Sequence, residues 1–161
     1  MGVDGVTVPE SSLDEAVYRR HAPRLMGLAA ALVGASDADD VVAAALARVL
    51  ASAGWPAVEN AEAYLTRAVV NEARSWSRSA LRRTARDARW ARGQVGADRE
   101  LGDPELAAAL LRLPVRQRAV VFLTYWADLA PGAIADQLEI SEGSVRKHLA
   151  RARSTLRKEL A

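Results

Sequence analysis

Ser144, Arg146, Lys147 and Arg151 are residue types that bond phosphate oxygens and the exposed edges of bases, and their spacing sets them on the face of a helix opposite Val145, Leu149, Ala152 and Leu156. Gly143 near the start of that helix allows a partner to approach the backbone closely. A solvated basic face on an ordinary helix would carry the same charges. What favours DNA is the segment ahead of it. Leu129 to Leu138 forms a short apolar helix through Ile134, Ala135 and Leu138, and a turn at Glu139 and Ile140 leads to Ser141 as the cap of the basic helix. Two short helices joined this way predict a helix-turn-helix whose second member enters a DNA groove.

A second set lies mid-chain. Arg67, Asn71, Arg74 and Arg78 recur at steps of four, three and four, while Leu65, Val69, Ala73 and Trp76 form a separate apolar stripe. An amphipathic helix of ordinary function is the plainer reading. Arginines that bond phosphates beside an amide that reads bases are the functional one. Other chemistry is poorly supplied: His21 and His148 lie far apart, cysteine is absent, and no phosphate-binding Gly-Lys-Ser loop, zinc-binding His pair or nucleophile elbow occurs. Asp37, Asp39 and Asp40 suit the start of a helix better than a metal ion, since no further ligand has suitable spacing. No catalytic residue, metal or cofactor is expected, and the chain is not expected to be an enzyme.

The elements that must position these residues are helical throughout. Alanine-rich runs, few period-two stretches, only six prolines and a 50% hydrophobic content predict an all-α protein. A first helix is expected from about Ser12 to Gly34, with Pro23 placed to kink it, and a second from Ser36 or Asp37 to before Gly54. A third runs from about Asn60 into the eighties. Pro104 opens a short helix closed at Pro114, and another extends from Val115 to about Asp128 with Val120, Val121, Leu123 and Trp126 buried. Residues 1–11 read as a disordered N-terminus, 12–83 as one small helical domain, 84–103 as a flexible Gly- and charge-rich linker, and 104–161 as a second domain.

Formal net charge is only +2 over 161 residues, but it is unevenly spread. From Arg67 to Arg92 eight arginines against Glu72 and Asp87 leave +6, and from Ser141 onward six basic residues against Glu142 and Glu159 leave +4. The first forty-four residues carry three arginines against seven acids, a balance of −4. Two zones therefore suit polyanions, and the acidic start suits a different, protein partner. The longest apolar run, Leu25 to Val33, is too short for a bilayer, and the expected location is the cytoplasm.

Residues 60–76, containing Asn60, Tyr64, Arg67, Asn71, Arg74 and Trp76, resemble region two of bacterial RNA polymerase sigma factors of the extracytoplasmic-function (ECF) group in the sigma-70 family. Leu113-Pro114 with Arg118, Ile134-Ala135, Gly143 to Arg146 and Arg151 to Arg153 resemble region four. The helix-turn-helix alone would fit LuxR-type regulators equally well; the two halves in order are far more specific. The resemblance implies a specificity subunit whose first unit grips core polymerase and recognises and melts the −10 promoter element, while the second binds the −35 element as duplex. It places Trp55, Arg67, Asn71, Arg74, Trp76 and Arg78 at the −10 element, Ser144, Arg146, Lys147 and Arg151 at the −35 element, and Asp40 and Val41 against polymerase. Promoter DNA, core polymerase and an anti-sigma factor are the implied partners. Two departures stand out. The polar pair usual after the acidic residue is Ala43 and Ala44, which suggests a diverged adaptor as one alternative. The usual turn glycine is Glu139, expected in the left-handed region at a cost of about 1 kcal/mol.

Overall fold

The computed structural model describes residues 10–86 and 103–161. Among them are seven α-helices and no strand: α1 (Glu10–Val33), α2 (Ala35–Leu50), α3 (Ala61–Arg86), α4 (Pro104–Leu111), α5 (Val115–Tyr125), α6 (Pro131–Leu138) and α7 (Glu142–Glu159), with one 3-10 turn at Trp55–Ala57. The expected N-terminal tail before residue 10 and most of the expected linker lie outside the described residues.

Local chemistry accounts for most boundaries. Asp103 accepts bonds from the N–H groups of Glu105 and Leu106 and so caps α4, with Pro104 at the first helical position where no N–H is needed. Asn60 caps α3 through the Ala63 N–H at 3.0 Å, and Ser141 caps α7 through the Ser144 N–H at 3.0 Å. The α1–α2 corner is a single residue, Gly34, at φ 92°, a conformation that only glycine adopts cheaply. Because α2 already begins at Ala35, Asp37 sits within its first turn and acts on the helix dipole, while Asp39 and Asp40 lie further along. The expectation that this cluster caps the helix is corrected. Pro23 falls inside α1, which continues through it.

The apolar stripes bury as their periods require. Leu25, Leu28 and Leu32 of α1 meet Val41 and Val42 of α2 and Leu65 and Val69 of α3. Val120 and Leu123 of α5, Ile134 of α6 and Val145 of α7 belong to the same continuous core. A smaller core of Leu110, Leu113, Val121 and Ala152 holds α4, α5 and α7 together. The two helical units predicted from sequence thus dock on each other: α5 lies against α1 and α3, and α6 against α3. Trp126, expected in the core, is 39% exposed and stacks on Phe122 with ring centroids 6.0 Å apart.

One buried cation secures the junction. Arg118 of α5 is only 8% exposed; its Nε donates to the Leu113 carbonyl at 2.9 Å and its Nη1 to the Leu32 carbonyl in the last turn of α1. That turn carries no basic residue of its own, so Arg118 supplies the positive charge that the carbonyl end of α1 attracts. Burial pushes its pKa down to about 10, which leaves it charged at neutral pH.

Candidate nucleic-acid interface

The helix-turn-helix is α6, a turn at Glu139 and Ile140, and α7. Glu139 occupies the left-handed region at φ 53°, ψ 47°, as expected for the residue in the glycine position, and the Ile140 N–H returns to the Ala135 carbonyl at 3.1 Å. Val145 and Ala152 are buried beneath α7, which leaves Arg146, Lys147 and Arg151 exposed on its outer side and Ser144 half-buried near its start. Arg146 reaches Glu142 one turn back at 3.5 Å, an exposed pair too weak to compete with a phosphate. His148 is partly buried between the two faces. Burial lowers its pKa first, and the nearby charges of Arg116, Arg151 and Lys147 lower it further. Among the described residues no carboxylate contributes to that shift; the surface here is electropositive.

On α3 the predicted residues divide. Asn71 and Arg78 are exposed, and Arg74 is half-buried with its pKa lowered by burial and then by Arg116 and Arg78. Trp76 packs at the margin of the main core. Arg67 is paired: its guanidinium contacts the Glu139 carboxylate and lies 5.8 Å from the centre of the Tyr64 ring. Tyr64 in turn meets the Trp55 ring at 5.8 Å. Trp55 is held at the foot of α1, where its Nε1 donates to Asp14 at 2.7 Å. Tyr64, Arg67 and Asn71, together with Arg48, Glu72 and Glu139, line a cleft of about 360 Å³. The structure therefore gathers Arg67 and Asn71 in one cleft, sets Trp55 beside it through Tyr64, and places the α7 residues on a separate surface.

The polymerase-facing pair needs correction. Asp40 is exposed, but Val41 is 0% exposed and points into the main core, one residue step and about 100° around the helix from Asp40. The solvent side of α2 instead continues from Asp40 to Ala43 and Ala47. Sequence reasoning also passed over Tyr64, Arg116 and Glu139 as site residues. Tyr64, three positions before Arg67, had a readable signal in its helical spacing. Arg116 and Glu139 had none, because the charge of Arg116 is felt at Arg74 and Glu139 meets Arg67, both across the units.

Fold and surface together define an all-helical DNA-binding protein with two basic helices, one of them in a helix-turn-helix. Residues 17–87 match the family of Sigma-70 region 2, and residues 104–156 match Sigma-70, region 4. An ECF RNA polymerase sigma factor, SigL of Mycobacterium tuberculosis, is 30% identical over 175 aligned positions that cover 96% of this chain and 93% of that protein. RNA polymerase sigma-E factor of Streptomyces coelicolor is 32% identical over 129 positions, 77% of this chain and 72% of that protein. In structure the chain is similar to the sigma factor RpoE of Bartonella quintana, solved with the anti-sigma factor NepR, with a TM-score of 0.73, 21% identity and coverage of 91% and 95%. The chain belongs to the ECF group of the sigma-70 family of RNA polymerase sigma factors.

Proposed function

We propose that the unit of α1 to α3 recognises and melts the −10 element while the unit of α4 to α7 binds the −35 element as duplex, with the boundary between them in residues 84–103. The observation that carries this reading is the pair of separate basic surfaces. On α7, Arg146, Lys147 and Arg151 stand clear of the core with Ser144 beside them, as groove and phosphate contacts require. On α3, Arg67 and Asn71 share a cleft with Tyr64, whose ring meets Trp55, a combination suited to receiving unstacked bases, and Arg74 and Arg78 continue the basic row further along the helix. Both surfaces act on promoter DNA in the cytoplasm while the chain is bound to core polymerase, which Asp40 and the adjoining face of α2 engage. Among the described residues no helix is long and apolar enough to cross a membrane. An anti-sigma factor is a further partner under this reading.

Transcription in vitro with core polymerase and genomic fragments tests the whole reading. Arg146→Ala should lower initiation by about tenfold through lost binding to the upstream element. Asn71→Ala should instead leave closed-complex formation intact and slow opening. If the wild-type chain neither binds core polymerase nor initiates on any fragment, the assignment fails; binding without melting would mark an adaptor.

A further inference from the structure

The connection between α2 and α3 fixes its backbone with bonds of its own. The Ser52 carbonyl accepts the Trp55 N–H at 3.1 Å, the Gly54 carbonyl accepts the Ala57 N–H at 3.2 Å, and the Ser52 Oγ accepts the Tyr64 hydroxyl at 3.3 Å. The one aromatic ring of that connection is held from outside it: the Trp55 Nε1 donates to Asp14 Oδ1 of α1 at 2.7 Å, 41 positions earlier in the chain. We propose that Asp14 is a positioning residue for base reception. It touches no nucleic acid itself but, by gripping the indole edge, presets beside Tyr64 the ring face on which an unstacked base settles. The inference rests on the promoter reading above for the role of Trp55 and Tyr64, and on the geometry of the bond for the grip itself.

Packing alone does not hold that ring. Trp55 is half-buried and borders a groove of about 360 Å³ lined by Val17 and Tyr18 of α1, Leu46 and Leu50 of α2 and Leu65 of α3. Tyr18 and Leu50 are themselves 38% and 52% exposed, so the groove offers room and apolar surface into which an unanchored indole would turn, away from Tyr64. The contact with the Tyr64 ring, 5.8 Å between centroids and tilted by 42°, steadies one side of the indole only. A carboxylate bond to the indole N–H is charge-assisted and stronger than a neutral one. Nor is Asp14 placed to serve the helix dipole, since α1 begins at Glu10 and Asp14 lies beyond its first turn. Its neighbour Glu15 pairs with Arg19 on the same helix, whereas Asp14 reaches across to the loop.

What the bond withholds matters as much as what it holds. An indole has a single donor and no acceptor, so with Nε1 taken by Asp14 the ring offers a base only its face. Stacking on a face tolerates every base, which leaves the choice among bases to groups such as the exposed Asn71 amide in the neighbouring cleft. Released, the same N–H would bond base carbonyls wherever it met them, and the ring would have to be ordered at the moment of capture rather than beforehand. Loss of Asp14 therefore slows opening and relaxes base preference, and both effects run through Trp55. Duplex binding by Arg146, Lys147 and Arg151 lies on the separate surface of α7 and stays as it was.

Nitrogen-labelled NMR on the full chain reads the grip without DNA. The Trp55 indole signal, identified by its absence in Trp55→Phe, should show the heteronuclear NOE of a rigid ring. Asp14→Ala should lower that value, and Asp14→Asn, which keeps an acceptor oxygen at the same reach, should hold it. Opening is then measured with core polymerase and a genomic fragment on which the wild-type chain initiates. There Asp14→Ala should slow formation of heparin-resistant open complex about fivefold, the effect of ordering one large side chain late, with closed-complex affinity unchanged. It should also narrow the rate differences among versions of that fragment substituted in the −10 element. Asp14→Asn should stay within about twofold of wild type. In a Trp55→Phe chain, Asp14→Ala should change nothing further, because the bond is already gone. An indole signal unmoved by Asp14→Ala overturns the grip. A loosened ring with opening at the wild-type rate overturns the positioning role. So does a full Asp14→Ala effect in the Trp55→Phe chain, which would mean that the carboxylate acts directly. If the ring loosens as stated while the wild-type chain initiates on no fragment, the promoter reading falls and the grip stands.

Discussion

Helices α3 and α7 draw on the same chemistry, arginines on one face and an apolar stripe on the other, yet the fold leaves them in opposite conditions. The basic side of α7 faces solvent, whereas α3 is covered by α6 and α5 along part of its length, with Arg67 engaged by Glu139 and Arg74 crowded by Arg116. The difference comes from what lies beneath each helix. Val145 and Ala152 anchor α7 from one side only, and their burial is complete without covering the other. Helix α3 is central: Leu65, Val69 and Ala73 pack against α1 and α2, and its remaining sides supply the docking surface for the second unit. A charged residue on a peripheral helix is available to a partner by default. On a central helix its availability depends on where the other elements sit.

The largest effect on this contrast should come from Arg118. Replacing it with Met keeps much of the bulk but leaves the Leu32 and Leu113 carbonyls without their donor, and should destabilise the chain by about 3 kcal/mol, read from the urea midpoint. Because the lost bond to Leu32 ties α5 to α1, the transition should also broaden as the two units cease to unfold together. A single sharp transition at the wild-type midpoint would show that Arg118 does not couple them.

Gly34→Ala separates the units from the other side. Nothing lies within 4 Å of where its Cβ would stand, so no clash arises; the cost is the backbone conformation at φ 92°, ψ 158°, about 2 kcal/mol. The loss should fall on α1 and α2, lowering the protection of their amides in hydrogen exchange while those of α7 hold. Equal loss in both regions would mean that α1 and α2 open only when the whole chain unfolds. Smaller again is Trp55→Phe, which keeps the ring contact with Tyr64 but removes the bond to Asp14, for about 1 kcal/mol.

How much of this was readable from sequence follows from which interactions are local. The stripe of Leu65, Val69 and Ala73 and the Ser141 cap depend on residues within a few positions of one another, and each stands where the spacing put it, while the left-handed Glu139 stands where the resemblance has a glycine. Helical period also says that Val120, Leu123 and Ile134 are buried, but not against what; the main core that they share with Leu28 and Val41 was hidden for that reason. Val41 shows the same limit at finer scale. Adjacency to Asp40 in sequence suggested a shared surface, and helical phase sent the two side chains in different directions. Of the candidate site, residue types and faces were legible, while the pairing of Arg67 with Glu139 spans seventy-odd positions and leaves no periodic trace.

The two histidines offer the most delicate way to compare the helices, one near each. Burial lowers the pKa of His21 first, with Glu62 opposing and Arg24 and Arg20 assisting; for His148 burial is again first, and Arg116, Arg151 and Lys147 all assist. Both folded values lie below the ordinary 6.5, so above that pH both residues are neutral, folded or unfolded, and contribute nothing to pH dependence. As pH falls below 6.5 the unfolded chain takes up protons that the folded chain declines, and stability should decrease until the folded values are reached. Duplex DNA should break the symmetry. Phosphates drawn to Arg151 and Lys147 would cancel much of the repulsion felt by His148, raise its pKa, and make duplex binding tighten as pH falls toward 6, whereas His21 has no such link to the α7 surface. An NMR titration of the two imidazoles with and without duplex reads this directly: His148 should move up and His21 hold. Movement of both would show that occupation of α7 is felt at the α3 side of the junction, and movement of neither would place the phosphates elsewhere than Arg151 and Lys147.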